Sequence, residues 1–362
     1  MVMKSDTSIN NPLQDSNRCE GLVVSDCLLP ELVQWFTDQS YPAYRARQVW
    51  RWYYQRMVDR FDQMTDLPRQ MQADMVDRLI PGTTTISEIQ HSRDGTEKYA
   101  IRLADDTLIE AVWIPMGSHA TICISTQVGC PVRCRFCASG ADGLVRNLSA
   151  GEIVEQVWHI CAAHPGSDSL NIVFMGIGEP MYNYAAVIRA LTILHDAEGL
   201  NVGWRRMTLS TTGVLDGITA LASDAPQVNL AVSLHAATDE QRNSIITHCP
   251  SNIQDLVACL KAYYEKTHRI ITYEYILLDG INDTYADARQ LVSLIAKVPA
   301  KINLIPYNEV PHGTYHPTPR KRVEQFAGWI EAQNVPVMIR RRKGDDIAGA
   351  CGQLRKQKIE EE

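Results

Sequence analysis

The sequence lacks both the long hydrophobic runs of a membrane protein and an excess of positive charge. No uninterrupted apolar run reaches about 18 residues, the length that a spanning helix needs, so we expect no membrane span. Residues 1–17 have no apolar core, and we therefore expect no secretion signal. The formal net charge of −7 disfavours a nucleic-acid binder, although a local basic face can coexist with an acidic surface elsewhere.

Cysteine, in contrast, is plentiful for a chain without a recognisable secretion signal. Ten cysteines occur, and neither short repeats nor low-complexity segments accompany them. Thiols in such number indicate a reducing compartment and side chains that are reactive or bind metal. We therefore expect a cytoplasmic protein.

Three of these cysteines, Cys130, Cys134 and Cys137, lie in the run GCPVRCRFCASG. A cubane iron–sulfur cluster usually takes four thiolates, so three would leave one iron open, as catalytic metal sites do. Zinc usually requires a fourth Cys or His at short spacing, and none follows directly. The spacing favours a cluster over the two alternatives, a zinc knuckle or buried structural thiols.

The C-x3-C-x2-C pattern, with Phe136 before its last cysteine, resembles the motif of the radical S-adenosylmethionine (SAM) enzymes. The resemblance implies a [4Fe-4S] cluster whose open iron binds the amino and carboxylate groups of SAM. It also implies that one electron from the cluster cleaves SAM and releases a 5′-deoxyadenosyl radical.

Residue patterns divide the chain into four parts. The first residues are polar and unpatterned, helical periodicity begins at Pro30, Tyr44 and Arg69, and two alternating stretches flank residues 104–106 as in a hairpin. The predicted parts are a mobile tail at 1–28, an N-terminal helical accessory RNA-binding domain at 29–85, a β-hairpin extension at 86–116, and a radical SAM core with a catalytic C-terminal segment at 117–355.

From Thr121 onward, apolar strand-like runs alternate six times with helical segments, and one further strand follows. Continuous apolar runs are typical of buried parallel strands, and βα repeats close toward a barrel. Six units fall short of the eight of a complete barrel, so the sequence predicts an α/β fold with a partial (βα)6 barrel. In such folds the chemistry lies at the C-terminal ends of the strands.

Polar residues follow several of these strands in matching register. Glycine in the GIGEP turn lets backbone approach a ligand, and Glu179 could accept a hydrogen bond from the ammonium of SAM. The alternative is a plain strand-to-helix turn, since polar strand ends are common in α/β proteins. The candidate SAM-binding residues are Gly178, Glu179, Ser210, Ser233, Leu234, His235 and Asn308.

Two isolated thiols and one carboxylate are further candidates. Cys351 lies in a Gly-rich segment after the basic run 340–343, which suits an exposed thiol of low pKa; an incidental tail cysteine is the alternative. Cys123 lies on the first barrel strand, where a cysteine is ordinarily a small buried hydrophobe. Glu110 ends a hairpin strand, where an acidic residue is ordinarily solvated.

Residues 41–56 interleave arginines with aromatic side chains, as surfaces that bind RNA do. The alternative is an amphipathic helix whose aromatic residues fill a core. We assign Trp50 and Tyr53 to such a core.

From Tyr44 to Leu354 the chain resembles the RlmN/Cfr family of radical SAM RNA methyltransferases. The tail before residue 29 and residues 235–238 and 246–250 depart from the family pattern, which leaves the RNA preference open. The matching motifs are YRARQVWRW, the DLP turn, CISTQVGCPVRCRFC, RNL, GIGEP, TLSTTG, SLHA, INLIPYN and GDDIAGACGQL.

The family resemblance implies a role for each candidate. Cys351 takes a methyl group from one SAM, Cys123 is its disulfide-forming partner, and Glu110 is the general base. The target is carbon 2 of an adenine in 23S ribosomal RNA, and of an adenine beside the anticodon in some transfer RNAs. Carbon 2 is too electron-poor to displace the methyl group of SAM, so a radical formed on the S-methylcysteine adds to the base, and Cys123 releases the product. The implied cluster ligands are Cys130, Cys134 and Cys137.

Two other functions stay open at this point. A Cfr-like enzyme would methylate carbon 8 of the same adenine with the same residues. A non-enzymatic iron–sulfur or zinc RNA-binding protein would form no deoxyadenosine from SAM. The partners implied are ribosomal RNA, transfer RNA and an external electron donor such as flavodoxin or ferredoxin, with no membrane and with the protein as a monomer.

Overall fold

The computed structural model describes residues 21–166, 169–310 and 313–355. The helices of these residues are α1 (Leu29–Asp38), α2 (Ala43–Arg56), α3 (Arg69–Val76), α4 (Ala150–Ala163), α5 (Tyr184–His195), α6 (Leu215–Asp224), α7 (Asp239–Ile245), α8 (Ile253–Thr267), α9 (Tyr285–Ile295) and α10 (Arg320–Glu331). The strands are β1 (Leu22–Val23), β2 (Leu79–Ile80), β3 (Thr85–His91), β4 (Glu97–Arg102), β5 (Leu108–Met116), β6 (His119–Cys123), β7 (Gln127–Gly129), β8 (Leu144–Asn147), β9 (Leu170–Phe174), β10 (Met207–Thr211), β11 (Asn229–Ser233), β12 (Ile271–Leu277), β13 (Ala300–Pro306) and β14 (Val337–Ile339).

One ten-stranded sheet carries the fold, in the order β14-β13-β12-β11-β10-β9-β6-β5-β4-β3. From β6 to β14 the neighbouring strands are parallel. Each of the first six is followed by at least one helix before the next begins, which confirms the predicted six βα units. Within the described residues β14 and β3 do not pair with each other, so the barrel is open.

The predicted hairpin is formed by β4 and β5, and β3 adds a third antiparallel strand. This extension belongs to the main sheet, because β5 also pairs antiparallel with β6 and Val112 lies opposite Cys123. Strand β5 is buried along most of its length. Glu110 is therefore held next to the first barrel strand.

The N-terminal helices pack on the barrel through aromatic side chains. Trp50 and Tyr53 are almost completely buried, which confirms their predicted place in a core. The core is shared with α4: the rings of Tyr53 and Trp158 stack with centroids 5.2 Å apart, and Trp158 Nε1 donates to the Tyr53 carbonyl at 2.8 Å. The aromatic residues of α2 thus fix the helical domain to the first helix of the barrel.

The prediction of a mobile tail at 1–28 is wrong for residues 21–28. Strand β1 pairs in parallel with β2, Val24 is fully buried, and Ser25 Oγ donates to Glu155 Oε1 at 2.5 Å. The apolar run Leu22-Val23-Val24 is too short to show periodicity, yet it fills a site between β2 and α4. Residues 1–20 lie outside the described residues.

None of the helices in the described ranges combines the length and the apolar character that crossing a lipid bilayer would require.

Candidate active site

The loop that carries the three clustered cysteines, residues 130–143, is held from two sides. Strands β7 and β8 pair antiparallel at its base, and Cys130 N–H donates to the Gly143 carbonyl at 3.1 Å. On the other side, Arg135 N–H donates to the Ile245 carbonyl at 2.9 Å. A short loop tied at both flanks presents its thiols in a fixed arrangement.

The three cysteines and several strand ends line one pocket, which encloses about 890 Å³ of empty space, including the part open to solvent. We call it the inner pocket below. The predicted site residues that line it are Cys130, Cys134, Cys137, Gly178, Glu179, Ser210, Ser233, His235 and Cys351.

Gly178 and Glu179 form one wall of the inner pocket. Gly178 has φ +113°, and a Cβ there would lie 2.7 Å from Gln127 Cβ, so only glycine fits. Glu179 Oε2 accepts from both the N–H and the hydroxyl of Thr212 at 2.8 Å. Burial raises the pKa of the Glu179 carboxyl, and these hydrogen bonds lower it. The two bonds from Thr212, the residue after β10, fix the direction of the carboxylate, whose oxygens can still accept a further hydrogen bond.

Ser210, Ser233 and His235 stand on the neighbouring strand ends. The two hydroxyl oxygens are 3.3 Å apart. His235 Nδ1 accepts from Ile276 N–H at 3.1 Å, and burial lowers the histidine pKa to about 3. His235 is therefore neutral at physiological pH with its proton on Nε2, so the ring can donate one hydrogen bond.

Leu234 and Asn308 do not line the inner pocket. The Leu234 side chain is buried in the main core, so only its backbone could contact a ligand. Asn308 Nδ2 donates to the Cys351 carbonyl at 3.1 Å. Its buried Oδ1 has no hydrogen-bond partner among the described residues. Asn308 therefore holds the C-terminal segment and offers an acceptor for a bound molecule.

The C-terminal segment folds onto the cluster loop. Ala138 N–H donates to the Gly352 carbonyl at 2.8 Å, and Ser139 Oγ donates to the Leu354 carbonyl at 2.7 Å. The predicted exposed thiol of low pKa is wrong for Cys351: the side chain is partly buried, and burial raises its pKa while the Arg340 charge lowers it. Pinning the segment against the loop removes water from the thiol, which penalises the thiolate.

Cys123 lies at the end of β6, buried against Val112 and Leu354. Burial raises the pKa of its thiol to about 12, and the Cys351 charge adds to this effect. Leu354 lies three residues after Cys351, and both thiols are free in the structure. The fold thus brings Cys123 against the C-terminal segment that carries Cys351.

Glu110 is buried rather than solvated, with 1% of its surface exposed. Lys98 Nζ lies 3.1 Å from Oε1, and Arg355 N–H donates to Oε2 at 2.8 Å. A buried lysine partner stabilises the ionised carboxylate. Neither Glu110 nor Cys123 is among the residues that line the inner pocket.

Comparison with known proteins assigns the family. Residues 124–292 match the Radical SAM superfamily, and residues 24–80 match the ribosomal RNA large subunit methyltransferase N-terminal domain. The dual-specificity RNA methyltransferase RlmN of Halorhodospira halophila is 42% identical over 90% of this chain and 91% of its own length. The chain belongs to the RlmN family.

Further relatives agree with this assignment. The RlmN of Syntrophotalea carbinolica is 43% identical over 90% of this chain and 88% of its own length. The crystal structure of a radical SAM methyltransferase from Sphaerobacter thermophilus superposes with a TM-score of 0.89 and 40% identity, over 92% of this chain and 99% of that chain. The predicted partial radical SAM barrel is confirmed.

The residues of this RlmN-family chain fit the cofactors of the radical SAM superfamily, a [4Fe-4S] cluster and SAM. Within the described residues no group of three or more His, Cys, Asp or Glu side chains could hold a single metal ion. This arrangement does not suit one zinc ion, whereas in a cubane each thiolate binds a different iron. The backbone at Gly178, where no side chain fits, and the Asn308 Oδ1 atom, which lacks a hydrogen-bond partner among the described residues, suit a polar ligand such as SAM.

Sequence reasoning missed two charged residues around the inner pocket, Glu274 and Arg242, and noted Arg340 only as part of the basic run 340–343. Glu274 and Arg340 line the pocket, and Asn303 Nδ2 donates to Glu274 Oε2 at 2.8 Å. Arg242 is fully buried and donates to the carbonyls of Thr212 and Leu234, two of the strand-end loops. A lone acidic residue in the apolar run ITYEYILL was the available signal for Glu274.

Most arginines of the predicted RNA-binding segment 41–56 have partners within the protein. Arg51 Nη2 lies 2.7 Å from Glu198 Oε2, and Arg47 pairs with the same carboxylate. The Arg56 guanidinium lies 4.1 Å from the Trp52 ring centroid. RNA binding by this segment stays a prediction.

Proposed function

We propose that this protein methylates carbon 2 of a specific adenine in 23S ribosomal RNA and of an adenine next to the anticodon in some transfer RNAs. The observation that carries the proposal is that Cys351 lines the same pocket as the three clustered cysteines. Relatives named dual-specificity RNA methyltransferases, alike over 90% of the chain, support it. When bound, the cluster and SAM supply a 5′-deoxyadenosyl radical.

Cys351 carries the methyl group. Its thiolate attacks the methyl carbon of one SAM molecule, S-adenosylhomocysteine leaves as that sulfonium bond breaks, and the Cys351 sulfur becomes a thioether. The proposal is supported by the Arg340 guanidinium, whose charge lowers the pKa of Cys351 against the effect of burial. Asn308 keeps the cysteine in place through its carbonyl. Cys130, Cys134 and Cys137 hold the cluster, and the candidate residues around Gly178 and Glu179 hold SAM.

Glu110 and Cys123 complete the reaction. Glu110 accepts a proton from the modified base, and the Lys98 ammonium, 3.1 Å away, is its buried ion-pair partner. Cys123 then attacks the Cys351 sulfur. A disulfide forms and the bond between sulfur and the methylene carbon breaks; the carbon keeps that electron pair and takes up a proton to become the methyl group, while the odd electron left by the radical addition would return to the oxidised cluster. The packing of Cys123 against Leu354, three residues from Cys351 in the chain, supports this step, because a disulfide requires close Cα atoms.

The target adenine must leave its stack to reach a pocket inside the barrel. The N-terminal helical domain, residues 29–85, is proposed to help hold the RNA. We further propose that the protein acts in the cytoplasm as a monomer and receives electrons from a flavodoxin or ferredoxin.

Anaerobically reconstituted enzyme, incubated with SAM, a reductant and either 23S ribosomal RNA or transfer RNA, tests the proposal. Mass spectrometry of the digested RNA should show 2-methyladenosine. Formation of 8-methyladenosine instead would assign the carbon 8 activity. A preparation that makes neither deoxyadenosine nor methionine from SAM would support the non-enzymatic alternative.

A further inference from the structure

A second pocket, separate from the inner pocket, borders the cluster loop. The two pockets share only Cys134 and Cys137. The second is lined by three arginines, and their side chains are all exposed: Arg133, Arg135 and Arg355. We call these three residues the arginine face. The two shared cysteines therefore form the boundary between the inner pocket and this outer face.

The charge of the arginine face is only weakly compensated. Among the ion pairs of the described residues, which extend to 4.0 Å, none includes Arg133 or Arg135. Arg355 has one long contact, 3.9 Å to Asp142, and both side chains are about half exposed, so this pair contributes little. On an acidic protein of net charge −7, three exposed arginines next to the cluster loop, two of them without an ion-pair partner among the described residues, indicate a binding surface for a negatively charged partner.

We propose that the arginine face is the docking surface for an acidic protein electron donor. The inference rests on the proposed function, because only a cluster that must be reduced during the reaction requires a donor. The donor's cofactor loses one electron and the cluster gains it; no covalent bond forms or breaks. Cys134 and Cys137 border the face, so the electron has to cross only their side chains to reach the cluster site.

The wall between the two pockets favours an electron donor over RNA as the occupant. The Ala138 N–H to Gly352 carbonyl bond of 2.8 Å and the Ser139 Oγ to Leu354 carbonyl bond of 2.7 Å fasten the C-terminal segment across the loop. An adenine would have to break these contacts to pass from this side to Cys351. An electron, in contrast, can tunnel through this hydrogen-bonded segment without any of these contacts having to break.

Charge reversal of the two unpaired arginines provides the test. The holoenzyme variant Arg133→Glu/Arg135→Glu is compared with Arg320→Glu/Arg322→Glu, which makes the same charge change on exposed residues of α10. Affinity for a purified flavodoxin is measured by calorimetry at low and high salt. Cluster reduction is followed by electron paramagnetic resonance with flavodoxin hydroquinone and, separately, with dithionite.

We expect flavodoxin to bind the Arg133/Arg135 variant at least about tenfold more weakly than wild type at low salt, with a smaller difference at high salt. Reduction by flavodoxin should slow in parallel, whereas reduction by dithionite and affinity for transfer RNA should not change. The α10 variant should behave as wild type.

Two results would overturn the inference. Unchanged flavodoxin affinity in the Arg133/Arg135 variant would exclude docking at this face, and a loss of transfer RNA affinity with flavodoxin binding intact would assign the face to RNA. Failure of the proposed function has a different signature: wild-type enzyme would be reduced by dithionite and would bind flavodoxin normally, yet would leave RNA unmethylated.

Discussion

The backbone N–H of Arg355 donates to Glu110 Oε2 at 2.8 Å, although 245 residues separate the two. The proposed general base therefore also anchors the segment that carries Cys351. Lys98, at 3.1 Å on the other carboxylate oxygen, is almost fully buried. One carboxylate thus joins the hairpin extension to the C-terminal segment.

Replacing Glu110 separates its two roles. Both Glu110→Gln and Glu110→Ala should reduce RNA methylation to background, because neither side chain accepts a proton at neutral pH. Only Glu110→Ala should also free the C-terminal segment, seen as faster amide hydrogen exchange at residues 351–355, since the glutamine oxygen can still accept from Arg355.

Either Glu110 variant should lose about 3–5 kcal/mol in the free energy of unfolding, because the Lys98 ammonium is left buried without a counter-charge. The double variant Lys98→Met/Glu110→Gln serves as the control. It should recover most of the stability in a urea titration but none of the activity. Recovery of methylation would show that Glu110 is not the base.

Cys351→Ala should abolish RNA methylation and leave the iron and sulfide content of the reconstituted protein unchanged, because the cluster ligands are other cysteines. Methylated nucleosides are measured by mass spectrometry and the cluster by its absorbance. Cys161→Ala, a change at another buried free cysteine, should keep activity. Methylation by the Cys351→Ala protein would disprove the thioether route.

Cys123→Ala should trap RNA bound covalently to the protein, because the step that resolves the adduct has lost its thiol. A denaturing gel with labelled transfer RNA should show a band that nuclease removes. The same substitution in a protein that also carries Cys351→Ala should show no such band. If the single variant turns over normally without an adduct, Cys123 has no part in product release.

The reactivity of Cys351 should respond in opposite directions to its two charged neighbours. These neighbours are Arg340, which lowers the pKa of Cys351, and Glu274, which raises it; the Cys137 thiol raises it further, and burial is the largest cause of the increase. Arg340→Met should move the pH profile of Cys351 alkylation to higher pH, so that the thiol reacts more slowly at a given pH. Glu274→Gln should move the profile to lower pH. Peptide mass spectrometry after iodoacetamide treatment measures both.

Arg341→Met is the matched control for this experiment, since Arg341 belongs to the same basic run but is exposed. It should leave the profile within experimental error of wild type. Equal shifts for the Arg340 and Arg341 variants would mean that general surface charge, and not the cation beside Cys351, sets the reactivity.

Glu155 ties the N-terminal segment to α4. It accepts from Ser25 Oγ at 2.5 Å and from Thr84 N–H at 2.7 Å. Glu155→Ala should lower the free energy of unfolding by about 1–3 kcal/mol, because buried donors lose their acceptor. Amide exchange should quicken at residues 22–26 and 82–85. Glu155→Gln, which keeps an acceptor oxygen, should lose less; equal losses would contradict this account.

Local patterns predicted much of this fold. The alternation of apolar runs and helical segments was enough for six βα units, since burial on both faces of a parallel strand leaves a continuous apolar run. The burial of Trp50 and Tyr53 followed from helical periodicity, but their contact with Trp158 did not, because periodicity identifies a buried face and not the surface that covers it.

For the catalytic residues, too, local spacing was predictable from the sequence and contacts between distant residues were not. The spacing of Cys130, Cys134 and Cys137 is a local pattern, so the sequence alone was enough to predict them as cluster ligands. Cys351 was readable as a candidate, but its environment was not: the expected exposed thiol is partly buried, because Ala138 and Ser139 bind the segment around it. Glu274 went unrecognised because its relation to Cys351 depends on distant parts of the chain, whereas Arg340 was noted only as one of the cations in the run 340–343.

By itself the sequence determined the cysteine triplet, the order of strands and helices, and the family to which they belong, because each is written in neighbouring residues. Only the tertiary structure decided which distant groups meet: Glu110 with Arg355, Cys123 with Leu354 of the C-terminal segment, and exposed arginines on the outer side of the cluster loop. Such contacts depend on how the sheet curves and where the C-terminal segment packs. No local spacing encodes them, since they result from the burial of the whole chain.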